Sequence, residues 1–310
     1  MFQKIAIVAA IYYEPYAPDH KGLKQGLEWL NCKYIVCDPI TESPSKILRK
    51  IKDFHPDLVL HHMSRCLILG LPEMIGKDIP QVFWMLDYRP QDYFLTKLKW
   101  ELDIYKYQAQ FLKYWFISNK CQISFWKEQL KIPVDFLPHA CYIVNKLEYD
   151  KRFHYPCVFM GGMYNDEIFK PRKEFIQKIA NMTNIKLILN CSGEERQENW
   201  FNMPKIYYSS DAVLDISHFW NCKGYASGRF FYTSGYGAAA VSKWFPDCEE
   251  LYPSGTKLYF NTTEEAVDLI HWLQKNSKER EKIKQKAFNY GKKHHNYAIR
   301  WKKIFETLKQ

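Results

Sequence analysis

Lys4-Ile-Ala-Ile-Val-Ala-Ala10 is a short, continuous apolar run, which is typical of a parallel strand that is covered on both faces. Residues 22–30 follow with helical spacing, and Tyr34–Cys37 predicts a second strand. Ser43-Pro44 indicates a helix start, because serine caps a helix and proline fits its first position. Asp57–His61 predicts a third strand. This alternation indicates a parallel α/β sheet of Rossmann type.

The alternation of strand and helix patterns continues along the chain. An amphipathic pattern at Tyr93–Phe111 predicts one long helix, and the polar stretch Asn145–Tyr155 predicts a connection between domains. Further apolar runs predict strands at Gln81–Leu86, Tyr114–Ile117, Cys157–Met160, Ile185–Leu189, Ala212–Ile216 and Ala238–Val241. We therefore expect an α/β protein with two Rossmann-like domains, residues 1–145 and 146–310, that face a central cleft, with basic helices at the end of the second domain.

Length and composition agree with two globular domains. The chain has 310 residues, of which 25% are charged and 17% aromatic. Its apolar runs are far shorter than the roughly 20 residues of a membrane-spanning helix, so we expect neither such a helix nor a secretory segment. Nine scattered cysteines without a CxxC pair predict neither a disulfide framework nor a zinc site, and they indicate a reducing, cytoplasmic location.

Positive charge is concentrated at the end of the chain. The formal net charge is +10, and residues 275–310 carry 12 basic against 3 acidic side chains. One interpretation is a solvated basic helix face. The other is a patch for a phosphate-rich partner, either nucleic acid or an anionic membrane surface. The charge pattern alone leaves both open.

Two glycine-containing segments are candidates for binding an anionic ligand. Gly161 and Gly162 end a predicted strand before a helix, where backbone N–H groups can approach a phosphate; a simple tight turn is the alternative. In the second segment, Arg229 lies among small residues before a buried strand. Its planar guanidinium suits a diphosphate, and Lys223 adds a second positive charge.

Paired acids lie downstream of this arginine. Glu249 and Glu250 stand at the start of a predicted helix. A carboxylate there either accepts hydrogen bonds from ribose or sugar hydroxyls or stabilises the helix N-terminus. Both interpretations stay open at this point.

An ordered series of motifs resembles one known family. The motifs are Ser227-Gly-Arg-Phe-Phe-Tyr232, Gly235–Val241, Glu249-Glu-Leu251, Ser254-Gly255, Leu258-Tyr-Phe260, Thr263–Ala266, Arg280–Ile283, and His295-Asn-Tyr297 with Arg300. Over about residues 156–305 the chain resembles the GT-B glycosyltransferases, and within them the CgeB-like, spore-maturation group. Leu137-Pro-His-Ala140 also resembles the segment between the two domains of such enzymes.

The resemblance implies a reaction and a set of binding residues. It implies transfer of a sugar from a nucleotide-diphosphate donor, a UDP-sugar, to an acceptor hydroxyl, with the donor at the C-terminal domain. The diphosphate would be neutralised by basic side chains and helix N-termini, without an obligatory metal or a further cofactor. The expected donor-binding residues are Gly161, Gly162, Lys223, Arg229, Tyr232, Glu249 and Glu250.

Tyr232 departs from the family pattern, which has a glutamate after arginine-x-phenylalanine. Either Glu249 or Glu250 takes over the ribose or sugar contact, or the donor differs, or the site is degenerate. The last possibility favours an alternative function, a non-catalytic module that binds a nucleotide. A further alternative is a phage-type enzyme that glycosylates hydroxylated bases in DNA, and a third acts at a membrane surface on lipid or wall precursors.

An inverting transfer needs a base that accepts the proton of the acceptor hydroxyl. Asp87 follows a predicted strand, at the carboxyl end of the parallel sheet, where ligands bind in open α/β folds. Arg89 is close to it in the chain. Asp19 and His20 are the other catalytic candidates. The adjacent pair His61-His62 would point to opposite faces of a strand, so we expect no metal site there.

Overall fold

The computed structural model describes residues 2–10, 17–189 and 193–309. These residues form two compact units. The first takes in Leu23–Pro138 together with residues 2–10 and 297–309, and the second takes in His139–Asn296 together with residues 17–22. In the described part of the chain, no helix is both long and apolar enough to cross a membrane.

The first unit is built around a parallel sheet. Its strands are β1 Lys4–Val8, β2 Lys33–Cys37, β3 Leu58–His61, β4 Gln81–Met85, β5 Tyr114–Ile117 and β6 Val134–Phe136. All pairs are parallel, and the order is β2-β1-β3-β4-β5-β6. The helices up to residue 138 are α1 Pro18–Trp29, α2 Pro44–Phe54, α3 Ser64–Ile68, α4 Leu71–Ile75, α5 Gln91–Thr96, α6 Lys99–Ala109 and α7 Ile123–Leu130.

The second unit has its own parallel sheet. Its strands are β7 Val158–Gly161, β8 Lys186–Leu189, β9 Val213–Asp215, β10 Ala240–Lys243 and β11 Leu258–Phe260. Their order is β11-β10-β9-β7-β8. The helices from residue 139 onward are α8 Lys170–Met182, α9 Gly193–Ser209, α10 Gly228–Gly235, α11 Cys248–Leu251, α12 Thr263–Lys275, α13 Ser277–His294 and α14 Tyr297–Thr307. Of these, α14 belongs to the first unit.

Strand β7 shows why the apolar runs of the sequence form buried strands. Phe159 packs with Ile176 of α8 in one apolar cluster, whereas Val158 packs with Met203 of α9 in another. Successive side chains of a strand point to opposite faces, so helices cover this sheet on both sides. The α/β class with two parallel sheets, expected from the alternation of patterns, is confirmed.

Two expectations need correction. The single helix expected at Tyr93–Phe111 is interrupted, because Leu98 has non-helical dihedral angles (φ −113°, ψ 30°) and its N–H bonds back to the Tyr93 carbonyl. The end of the chain, expected to belong wholly to the second domain, contributes α14 to the first unit. The reason is packing: the buried Trp301 indole donates to the Leu23 carbonyl at 3.0 Å.

The strand order places a topological switch point in the second sheet. Strand β7 pairs with β8 on one side and with β9 on the other. The connections that leave the carboxyl ends of β7 and β9 therefore diverge, which opens a crevice there. Ligands of open α/β sheets bind at such a crevice.

Candidate functional site

Arg229 connects the adjacent strands β7 and β9 of the second sheet at this switch point. Its Nε donates to the Met160 carbonyl of β7 at 2.6 Å, and its Nη1 donates to the Ile216 carbonyl, just after β9, at 3.1 Å. The Asp215 carboxylate lies 3.9 Å from Nη1. The guanidinium is therefore fixed at the carboxyl end of the sheet.

Gly161 makes room for this arginine. A Cβ atom at Gly161 would overlap the Arg229 guanidinium. The sequence suggested that this glycine lets a ligand approach the backbone. The structure shows that its missing side chain accommodates the cation that lines the crevice.

A second arginine lies behind Arg229. The Arg172 side chain is 1% exposed and donates to the carbonyls of Gly162 and Ile216. Both guanidinium groups lie over the Phe159 ring, with their carbon atoms 5.7 and 4.7 Å from its centroid. Burial, with the nearby Arg229 charge, lowers the pKa of Arg172 to about 9.

Positive charge prevails at this end of the sheet. The two guanidinium groups share one nearby carboxylate, Asp215, whose pKa is raised by burial. Such an arrangement favours an anionic ligand. Arg172 is not among the residues that the sequence motifs predicted; the signal available was its position in the helix after the glycine-ended strand.

A cavity of about 180 Å³ opens beside Arg229, within the second unit. One wall comes from α9, with Trp200 and Met203, and another from the end of β8 at Ile188 and Leu189. The Arg196 guanidinium lies 4.3 Å from the centroid of the Trp200 ring. The other residues that line the cavity are Met160, Gly161, Asn199, Tyr207, Ser227, Gly228, Arg229 and Tyr232.

Helix α10 begins at this cavity. Ser227 is its N-cap residue, but the Ser227 side chain makes no capping hydrogen bond. Its Oγ is buried and has no hydrogen-bond partner among the described residues. The first N–H groups of a helix also lack partners inside the helix. Together with Arg229, these donors form a cradle for an anion such as phosphate.

Tyr232 lines the same cavity, one turn into α10. Its hydroxyl donates to Asp19 Oδ2 at 2.5 Å, and Asp19 Oδ1 lies 4.0 Å from His139 Nδ1. Burial, with the nearby Asp19 charge, holds the pKa of Tyr232 well above its usual range. The hydroxyl is therefore protonated at neutral pH, and its oxygen, which donates its proton to Asp19, keeps lone pairs that can accept a hydrogen bond.

Three predicted donor residues lie elsewhere. Lys223 is exposed, with its Nζ 3.8 Å from Asp247 Oδ2. Glu249 and Glu250 are exposed residues of the four-residue helix α11. Within the described residues the cavity lining includes none of the three, nor Gly162, whose carbonyl accepts from Arg172.

The catalytic candidates are distributed over both units. Asp87 is exposed after β4, in the first unit, near Arg89, whose carbonyl accepts from Gln122 at 2.6 Å. Asp19 lies beside Tyr232, and His20 is buried at 7% exposure in the second unit. In β3, His61 Nε2 lies 2.8 Å from Gln81 Oε1.

No cluster of three His, Cys, Asp or Glu side chains suited to a metal ion occurs among residues 2–10, 17–189 and 193–309.

The chain is similar to a known sequence family and to many solved structures. Residues 172–306 match the family model described as glycosyl transferase-like. A search of curated proteins found no match. Sucrose-phosphate synthase from Thermosynechococcus elongatus has a similar structure, with a TM-score of 0.66, 10% identity and 99% of each chain covered.

Two further structures are similar over the whole chain. Anabaena HepE in complex with UDP-glucose has a TM-score of 0.61 and 13% identity, with 99% of each chain covered. An alpha-glucosyltransferase, solved with UDP and a 13-mer DNA containing an HMU base, has a TM-score of 0.67 and 11% identity, with 100% of each chain covered. At such identities the likeness establishes the fold, and this chain has the fold of the GT-B glycosyltransferases.

Proposed function

We propose that this protein is a glycosyltransferase that takes a sugar from a UDP-sugar and transfers it to an acceptor hydroxyl. The observation that carries the proposal is the position of Arg229 at the switch point of the second sheet, between the two carbonyls that it binds and beside the cavity. The match of residues 172–306 to a glycosyl transferase-like family supports it. So does the fold shared with HepE, which was solved with UDP-glucose.

The diphosphate of the donor fits the cradle at the start of α10. Arg229, the Ser227 hydroxyl and the first N–H groups of α10 would donate to its oxygens. The buried guanidinium of Arg172, which like that of Arg229 donates to the Ile216 carbonyl, adds positive charge next to this cradle. Because these groups neutralise the negative charge of the diphosphate, we propose that no metal or further cofactor is required. We therefore expect activity to persist in EDTA.

The remaining walls suit the rest of the donor. Trp200 offers a flat ring for the base, with Ile188 and Leu189 beside it. Tyr232 presents a hydroxyl oxygen whose own proton is committed to Asp19, so it accepts a hydrogen bond from ribose or sugar. We propose that Tyr232 thereby replaces the glutamate of the resembling family.

In the reaction, the bond between the anomeric carbon and the diphosphate oxygen breaks. The acceptor oxygen forms a new bond to that carbon, its proton passes to a base, and UDP leaves. Arg229 and the α10 N-terminus stabilise the negative charge that develops on the diphosphate. Asp87, Asp19 and His20 stay the predicted candidates for this base.

Donor turnover tests the proposal against a non-catalytic nucleotide-binding module. UDP-glucose and UDP-N-acetylglucosamine are incubated with the protein, first alone and then with a panel of hydroxyl acceptors that includes DNA with hydroxymethylated bases. We expect slow release of UDP without acceptor and faster release with one of them. Arg229→Ala should abolish both. Tight UDP binding without turnover on any acceptor would contradict the enzyme and favour the binding module.

A further inference from the structure

Helix α13 carries two kinds of basic side chain. Lys284 is buried, and its Nζ donates to the Tyr208 carbonyl at 2.8 Å. Arg280 binds Asp211 at 2.8 Å and the Leu273 carbonyl at 3.0 Å. These two side chains attach α13 to the second unit. The other lysines of α13 are exposed and make no such contact with the fold: Lys278, Lys282, Lys286, Lys292 and Lys293.

The exposed lysines occupy one face of the helix. With 3.6 residues per turn, their positions fall within an arc of about 120°, opposite the buried Ile283, Ala287 and Gly291. From residue 278 to residue 293 the row is about 22 Å long. Gln285 and Asn289 lie on the same arc and add neutral hydrogen-bonding groups.

Little acidic charge compensates this row. Lys282 pairs with Glu279 at 2.7 Å, and Glu281 lies against Lys284 at 3.1 Å. In the described part of the chain, the other four exposed lysines of α13 have no ion pair: Lys278, Lys286, Lys292 and Lys293. We call these four the α13 lysine face.

The surroundings indicate which polyanion fits this face. Binding to a membrane surface combines basic side chains with apolar ones that enter the lipid interface. No large apolar side chain of α13 itself is among the exposed ones. The face therefore offers positive charge and amide groups over a length of several phosphates, which suits the backbone of a nucleic acid.

We propose that the α13 lysine face binds the sugar–phosphate backbone of a nucleic acid. Four lysines that each neutralise one phosphate give a slope of about −3.6 in a plot of log affinity against log salt. The expected loss of affinity between about 50 and 200 mM salt is then about 150-fold. Binding needs no donor sugar, so it is independent of the proposed transferase activity.

The test measures binding of the full-length protein to a fluorescent, mixed-sequence DNA duplex by anisotropy. One variant changes the face, K278Q/K286Q/K292Q/K293Q, and the expected result is a loss of most of the affinity and of the salt slope. The control K46Q/K52Q/K97Q/K99Q removes the same charge from exposed lysines of the first unit and should bind like the parent. Replacing the four face lysines by arginine should preserve binding.

Three results would overturn the proposal. The first is no binding of the parent protein to the duplex at low salt. The second is equal weakening by the face variant and the control, which would show a net-charge effect. The third is binding to phosphatidylserine vesicles that depends on the four lysines, with no binding to the duplex, which would assign the face to a membrane. A failed donor assay changes none of these outcomes.

Discussion

Among single residues, the sequence selected Arg229 as a candidate for binding phosphate, because small residues surround it before a buried strand. The structure places its guanidinium at the carboxyl end of the second sheet. It also selected Gly161 and Tyr232, and the structure shows that both line the same cavity as Arg229. Arg172 was not predicted as a site residue, because its role depends on the tertiary structure. Only folding brings its guanidinium to the carbonyls of Gly162 and Ile216.

Tyr232 gives the first prediction. Tyr232→Phe removes the hydroxyl that Asp19 holds at 2.5 Å, so a ligand hydroxyl loses its acceptor. We expect UDP affinity to fall about tenfold, the effect of roughly one hydrogen bond, in isothermal titration calorimetry. Asp19→Asn keeps an acceptor oxygen for Tyr232 and should bind UDP nearly as well as the parent. If Asp19→Asn binds UDP but loses all turnover, Asp19 is the base and not a positioning residue.

His61 gives a prediction about pH. Burial lowers the pKa of His61 to about 4, so the unfolded chain takes up a proton below about pH 6.5 that the folded state excludes. This contribution to stability is complete above pH 6.5 and is lost as the pH falls towards 4. Between about pH 7 and 5, the parent should lose about 2 kcal/mol more stability than His61→Gln in urea unfolding. Parallel losses would show that His61 is already protonated in the fold.

At the level of elements, most strands were predicted, but strand β6 and the helix α9 beside the cavity were missed. Most strands are continuous apolar runs that neighbouring helices cover, so composition alone reveals them. Helix α9 forms a wall of the cavity, but Pro204 lies inside it and its apolar residues have weak helical periodicity. The short helix α11 was expected, yet the sequence could not tell that Glu249 and Glu250 lie outside the cavity lining.

The end of β7 gives a prediction at this scale. Gly161→Ala should displace the Arg229 guanidinium and weaken UDP binding at least tenfold, because a Cβ atom there overlaps it. In an Arg229→Ala background the collision is gone, so the same change should cost almost no further affinity. This double-mutant cycle isolates the coupling of the two residues. Additive losses would mean that Gly161 acts on the ligand directly, as the sequence alone suggested.

For the whole molecule, alternation of strand and helix patterns was sufficient to predict two parallel-sheet units, whereas the GT-B fold was predicted from the series of motifs that resembles that family. The assignment of α14 was not accessible, since it depends on Trp301 and Leu23 meeting across almost the full length of the chain. The sequence pattern does not identify the acceptor substrate either, because acceptor binding depends on the side chains of the protein surface and not on hydrophobic periodicity.

UDP binding at Arg229 is the most direct test of the proposed donor site. The measurement is a thermal-shift panel of UDP, GDP and UDP-, GDP-, dTDP- and ADP-linked sugars, on the parent protein, Arg229→Gln and Lys223→Gln. Ligand binding to the folded state raises the melting temperature. We predict a shift with UDP and a UDP-sugar in the parent, the same shift in Lys223→Gln, and a much smaller one in Arg229→Gln. An unchanged shift in Arg229→Gln, or no shift with any nucleotide in the parent, would contradict the proposed donor site.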